Sequence, residues 1–130
     1  MIITSDRNEK TEIGDLNEIE SKVAQKIKKL FCKYKLKSAV AEKGYEARIH
    51  FGIIAQDLKE AFESEGLNPN RYAMFVENVW WESWESDIEN PENLKLVVYN
   101  NEIDAPKESI KRTAMAIRYD ELLSFVIASV

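Results

Sequence analysis

The sequence predicts an α+β fold: an N-terminal helix, β-hairpins with a projecting aromatic arm, a short central helix and a C-terminal helix. Apolar residues recur at steps of three and four near both ends of the chain, the period of a helix with one buried face. Between those ends, short runs alternate apolar with charged residues, the period of a strand with one wet face. Glycine, proline and asparagine stand between the runs, where the chain has to turn.

Leu16, Ile19, Val23, Ile27 and Leu30 mark the apolar face of a helix over Asp15 to Phe31. Gly14 and Asp15 supply its turn and N-cap, and Glu18 completes a capping-box pattern. Lys22, Lys26, Lys28 and Lys29 fill the outer face and the C-terminal end, where the helix dipole favours cations. Then the period drops to two. Cys32, Tyr34 and Leu36 alternate with Lys33, Lys35 and Lys37; Glu42-Lys43-Gly44 makes a turn; Tyr45, Ala47, Ile49 and Phe51 alternate with Glu46, Arg48 and His50. These two runs predict a hairpin. Cys32, in that alternation, is a packing residue.

Gln56 to Ser64 forms a short helix with Leu58, Ala61 and Phe62 inward, closed by Gly66 as C-cap and followed by an Asn68-Pro69-Asn70 loop. Tyr72 to Trp84 is aromatic and β-prone, Ser86 to Asn93 is an acidic turn, and Leu94 to Tyr99 is a strand. Asn100 to Glu108, which holds Pro106, is a loop, and Thr113 to Arg118 is a short strand. Asp120 caps a final helix, Glu121 to Val130, with a wide apolar stripe of Leu122, Leu123, Val126, Ile127 and Val130.

Composition narrows the function. At 130 residues the chain is one domain, long enough to bury roughly two-thirds of its unfolded surface without metals or disulfides. A net charge of −5 argues against a general nucleic-acid binder and against docking on anionic membranes. One cysteine excludes an intrachain disulfide, which fits a reducing compartment. No run approaches the roughly 18 apolar residues of a membrane span, and Met1-Ile2-Ile3 turns polar too soon for a signal peptide. Phosphate loops, zinc-ligand spacings and nucleophile elbows are missing, so no cofactor or metal is expected.

The stretch Thr4-Ser5-Asp6-Arg7-Asn8-Glu9-Lys10 carries chemistry of its own. Taken alone, Ser5 and Asp6 read as a helix N-cap with a flanking acid, and Lys10 as a solvated lysine. A serine with a lysine nearby is also a nucleophile with its base.

Four pieces of the chain decide between the two. They are the Ser5-Asp6-Arg7 opening with Lys10 and Ile13, the helix with Leu16 and Ile19, the string His50-Phe51-Gly52-Ile53-Ile54-Ala55-Gln56-Asp57, and the closing Tyr119-Asp120-Glu121-Leu122. In their order and spacing they resemble the C-terminal intramolecular chaperone domain of phage tailspikes, tail fibres and neck appendages, the endosialidase-type self-cleaving chaperone. The resemblance covers most of the chain. It implies a domain that assembles as a homotrimer, aligns an upstream fibre chain as its folding client, and then cuts itself off. Residues 1–4 are then a remnant of the upstream fibre and 5–130 the chaperone. The site of action is the host cytoplasm during virion assembly, with release from the mature fibre after cleavage.

Carried over, Ser5 is the nucleophile, Lys10 its base and Thr4–Ser5 the scissile bond. Asp6 and Arg7 match positions that shape the turn, His50 matches a histidine tied to the reaction, and Gln56 matches the end of the central motif. Alone, His50 reads equally as a hydrogen-bonded structural histidine and Gln56 as a helix cap or core hydrogen-bonder. A lysine accepts a proton only when neutral, so its usual pKa near 10.4 has to fall through burial or a cationic neighbour. Arg7 and His50 are candidate neighbours, particularly where three subunits crowd together. Oxyanion donors are His50, Arg7 or a backbone amide.

Trp80 and Trp81 are adjacent, so on a strand they face opposite ways and cannot both enter one protomer's core. With Trp84 they predict an arm that grips a neighbouring subunit or the unfolded fibre chain; the alternative is a large two-sided core. Leu122 and Val126 are the expected oligomer contacts of the final helix. In the family that helix tends to continue into a coiled coil; here it runs about three turns, too few to hold a coil by itself. The competing functions are a trimerisation or protein-binding module of the same fold without proteolysis, and an unrelated monomeric adaptor that grasps a peptide with its Trp strand.

Overall fold

The computed structural model describes residues 2–130 as helices packed against the base of a long, three-stranded antiparallel sheet. α1 runs Glu18–Lys28. Its N-cap is Asn17, not Asp15: the Asn17 side chain accepts from the Glu20 N–H at 2.8 Å, and Glu20 accepts from the Asn17 N–H at 2.9 Å. Asp15-x-x-Glu18 and Asn17-x-x-Glu20 both satisfy the capping-box pattern, and the second is the one formed. Val23 and Ile27 are fully buried, Leu16 and Leu30 half-buried, and Ile19 is exposed.

β1 (Cys32–Tyr34) stops before Leu36, and α2 (Lys37–Lys43) follows where the alternation predicted more strand. Ala39, Ala41, Glu42 and the flanking lysines are good helix formers, and their propensity prevails once pairing ends. Gly44, at φ 58°, closes α2 in a conformation that favours glycine. A 3₁₀ turn over Gly44–Glu46 replaces most of the second expected strand, leaving β2 as His50–Gly52. β1 and β2 do pair antiparallel, with Tyr34 opposite His50 and Cys32 opposite Gly52. A helix, rather than a tight turn, connects them.

α3 (Ala55–Glu63) buries Leu58, Ala61 and Phe62 as expected, and Gly66 follows it at φ 77°. β3 (Phe75–Ser86) is the spine of the second sheet. Its first part pairs with β5 (Ile110–Ile117) and its distal part with β4 (Leu94–Tyr99); Trp81 and Glu82 pair with both. At about 3.3 Å per residue the twelve residues of β3 reach roughly 40 Å, so the distal end is an arm.

α4 (Tyr119–Ala128) begins two residues earlier than the pattern indicated, with Arg118 rather than Asp120 at the N-cap position. Asp120 and Glu121 sit inside the first turn, where the dipole favours acids.

The core gathers Val23 and Ile27 from α1, Ile53, Leu58 and Phe62 around α3, Met74 and Phe75 at the base of β3, and Leu122 from α4. It is small for the chain. The surface exposed is 10535 Å². A monomeric globular protein of 15.0 kDa exposes roughly 7,000 Å². Trp84 is 64% exposed, and Ile88, Leu94, Leu96 and Val98 on the arm and Leu123, Ile127 and Val130 at the chain's end are exposed as well. Among the described residues, no helix is long and apolar enough to cross a membrane.

Candidate active site

A single 3₁₀ turn, Arg7–Glu9, builds the centre of the site. Asp6 caps it: its carboxylate accepts from the Asn8 N–H at 2.9 Å, and its carbonyl accepts from the Glu9 N–H at 3.0 Å. The Lys10 N–H closes the turn on the Arg7 carbonyl at 3.1 Å. With the chain so folded back, Lys10 Nζ reaches Ser5 and donates to its Oγ at 2.8 Å. The cap is therefore Asp6, not Ser5, and the serine hydroxyl is left for the lysine. Thr4, Ser5 and Lys10 are all exposed, so the Thr4–Ser5 peptide is open to solvent in the single chain.

A second serine–lysine contact shows what distinguishes the first. Lys26 Nζ donates to Ser64 Oγ at 2.7 Å, but Lys26 also pairs with Glu65 at 3.0 Å, and the Ser64 hydroxyl donates to the Ala61 carbonyl at 2.9 Å. Lys26 is thus shared with the Glu65 carboxylate, and the Ser64 proton is committed elsewhere. Among the described residues, no carboxylate forms an ion pair with Lys10, and Ser5 donates to no backbone carbonyl.

The other expected site residues lie apart from this pair. His50, on β2, is exposed and stacks on Tyr34 with ring centroids 5.5 Å apart and planes 16° from parallel. Among the described residues, no hydrogen bond joins it to Ser5 or Lys10 within the chain. Arg7 contributes its backbone carbonyl to the turn. Gln56 is exposed in the first turn of α3 and neither caps that helix nor enters the core.

Trp80 and Trp81 are both half-buried. Trp80 Nε1 donates to Glu82 at 3.3 Å, and Arg112 Nε donates to the same carboxylate at 2.8 Å. These bonds, the one from Arg112 foremost, hold the Glu82 carboxyl below its ordinary pKa. Trp81 lines a hollow with Ala105, Pro106 and Ser109. Leu122, expected at an oligomer contact, is instead fully buried inside the chain, and Val126 packs half-buried on the same core. The free face of α4 carries Leu123 and Ile127.

Tyr119 was assigned no role from the sequence. Its hydroxyl accepts from the Ile53 N–H at 3.1 Å and donates to the Ile53 carbonyl at 3.3 Å. It occupies the space a Cβ on Gly52 would need. Burial, and then the neighbouring Tyr119 phenol, push the Tyr34 hydroxyl pKa up. The signal in the sequence was a glycine inside the central motif and a tyrosine opening the closing one, 67 positions apart and unrelated by any local pattern.

Comparison with known proteins places these features. Residues 5–67 match the Peptidase_S74 family, described as "Chaperone of endosialidase". The match begins at Ser5. A protein of Klebsiella phage 0507-KN2-1 described as "Probable tail spike protein" is 35% identical over 136 aligned residues, covering 97% of this chain and 10% of its own length. The chain thus spans about a tenth of that relative. A crystal structure described as that of a novel intramolecular chaperone superposes with a TM-score of 0.70 at 32% identity, covering 96% of this chain and 93% of that one. The carboxy-terminal domain of the bacteriophage T5 L-shaped tail fibre, solved with its intramolecular chaperone domain, shares the fold with a TM-score of 0.67 at 21% identity, covering 99% of this chain and 29% of that one.

Proposed function

We propose, from the premise that this chain belongs to the chaperone-of-endosialidase family and is an intramolecular chaperone domain of a phage tail spike or fibre, that it releases itself by cutting the Thr4–Ser5 bond with Ser5 and Lys10. The observation that carries this reading is the 2.8 Å contact between Lys10 Nζ and Ser5 Oγ across the Asp6-capped turn. With Lys10 as the neutral amine, the same contact runs the other way, and Ser5 Oγ–H donates. The amine takes the hydroxyl proton as Oγ attacks the Thr4 carbonyl carbon, and returns it to the Ser5 nitrogen as the C–N bond breaks. An ester between Thr4 and Ser5 Oγ results, with a free Ser5 amine. Water then hydrolyses the ester, leaving a Thr4 carboxylate on the fibre.

The chain acts as a homotrimer. Its exposed area exceeds that of an ordinary monomer of its mass by about 3,500 Å², within the range that obligate assemblies bury. Uncovered apolar residues lie on the arm and on the outer face of α4, and also around β2, at Tyr45, Ile49 and Phe51. Assembly supplies what the exposed pair lacks, since covering Lys10 with neighbouring chains removes it from water and weakens an amine's hold on its proton. His50, exposed and unconnected to the pair within its own chain, serves a Ser5–Lys10 pair of a neighbouring chain. Cleavage therefore waits for assembly.

The client is the upstream fibre. Long parallel β-structure forms slowly because its contacts are non-local, and a domain that trimerises first raises the effective concentration of three chains in register. Removing it afterwards leaves the fibre kinetically trapped in its folded state. Folding takes place in the host cytoplasm, and the freed domain leaves the mature fibre.

A second reading keeps trimerisation and drops proteolysis. The solvent exposure of Ser5 and Lys10 in the single chain favours it. A longer chain carrying its upstream fibre separates the two: the wild type shortens and Ser5→Ala stays full length under the first reading, and both stay full length under the second.

A further inference from the structure

We infer that the Tyr119 hydroxyl is the positioning group for the strand that carries His50, so that the site is completed only when α4 has docked. The inference rests on the self-cleavage reading above and on geometry independent of it. β2 is three residues long and, among the described residues, pairs only with the equally short β1. Isolated two-stranded pairings of this length are marginal in water, so His50 needs an anchor from outside its hairpin.

Tyr119 supplies that anchor. Its single hydroxyl satisfies both the N–H and the C=O of Ile53, the residue that follows β2. Gly52 leaves the room, because any Cβ there would meet the Tyr119 oxygen and then the edge of the Tyr34 ring. Tyr34 in turn stacks on His50. One contiguous path therefore runs from the start of α4 through Ile53 and Gly52 to Tyr34 and the imidazole. The start of α4 is itself fixed by bonds to a different part of the chain: the Arg118 N–H donates to the Met74 carbonyl at 2.8 Å, and Arg118 Nη1 to the Ala73 carbonyl at 2.8 Å. Leu122, one turn on, is fully buried in the core.

This arrangement ties the order of events to the order of the chain. Every other described element precedes α4. Ser5, Lys10 and His50 all exist before Tyr119 does, yet His50 is held in place only after Tyr119 reaches Ile53. A partly made or partly folded chaperone keeps its fibre attached.

Tyr119→Phe tests the inference, since it removes the hydroxyl and keeps the ring. The chain has one histidine, so the imidazole carbon-bound protons give a single, assignable set of NMR signals, shifted by the Tyr34 ring current. Tyr119→Phe is expected to move the His50 signals toward those of free imidazole. It should also slow self-cleavage of the full-length precursor by at least about tenfold, with trimer formation retained. Gly52→Ala, whose methyl displaces the hydroxyl, is expected to do the same. Unchanged His50 signals in both folded variants overturn the inference, whatever the cleavage rate; so does an unchanged cleavage rate. A wild-type precursor that never cuts at Ser5 refutes the self-cleavage reading, while the His50 signals still report whether the latch exists.

Discussion

Lys10 Nζ donates a 2.8 Å hydrogen bond to Ser5 Oγ across one 3₁₀ turn. The two are five positions apart in sequence, and the turn between them makes the contact local. A local pair needs no partner chain to form, so the proposed mechanism places the dyad within a single protomer. Mixing Ser5→Ala with Lys10→Ala subunits is therefore expected to restore no cleavage, read by gel mobility of the precursor. Mixing Ser5→Ala with His50→Ala subunits is expected to restore it in the His50→Ala chains, because their intact dyads then meet a neighbour's His50.

The turn depends on its cap. Asp6→Ala removes the acceptor for the Asn8 N–H, a loss of about 1 kcal/mol for a capping residue, which lowers the population of the closed turn about fivefold. Self-cleavage should slow by that factor with little change in thermal midpoint. Asp6→Asn keeps an acceptor and should cleave near the wild-type rate.

The two faces of α4 answer differently to truncation. Leu122→Ala opens a cavity in the core and should cost about 2–5 kcal/mol in denaturant unfolding. Ile127 is 70% exposed in the single chain, so Ile127→Asp should change the protomer's own stability by no more than about 0.5 kcal/mol. In sedimentation the same substitution is expected to shift the trimer toward monomer.

The arm carries a pH dependence. The hydrogen bond from Arg112 lowers the folded-state pKa of Glu82 below the ordinary 4.5. A depressed carboxyl pKa contributes stability that is present above the unfolded value and lost as pH falls through the folded one. Acid titration of tryptophan fluorescence should thus report loosening of the Trp80–Glu82–Arg112 cluster below pH 4.5, and Arg112→Met should abolish that step.

What was legible in the sequence was what is local. The inward face of α3 and the strand Leu94–Tyr99 were read correctly because each combines one clear period with turn residues at its ends. The start of α1 was misplaced because two capping boxes overlap by two residues, and only backbone geometry selects Asn17. α2 was hidden by the alternation of Cys32, Tyr34 and Leu36, which continues past the point where β1 loses its partner. Ser5 and Lys10 were paired through the family resemblance, since taken alone they read as a cap and a solvated lysine; their contact lies within one turn. The role of Tyr119 was not, since nothing near residue 119 records that its hydroxyl meets the backbone of Ile53. Leu122 was placed on a subunit contact because a stripe on a helix does not say which part of it the chain's own core has already used.

The most direct test is the mass and N-terminal residue of the chaperone recovered from a precursor that includes the upstream fibre, compared with Lys10→Met. The account predicts that the wild-type domain begins at Ser5 and that the Lys10→Met precursor assembles into trimers but stays intact. A Lys10→Met precursor that is cut at Thr4–Ser5 at the wild-type rate would contradict it.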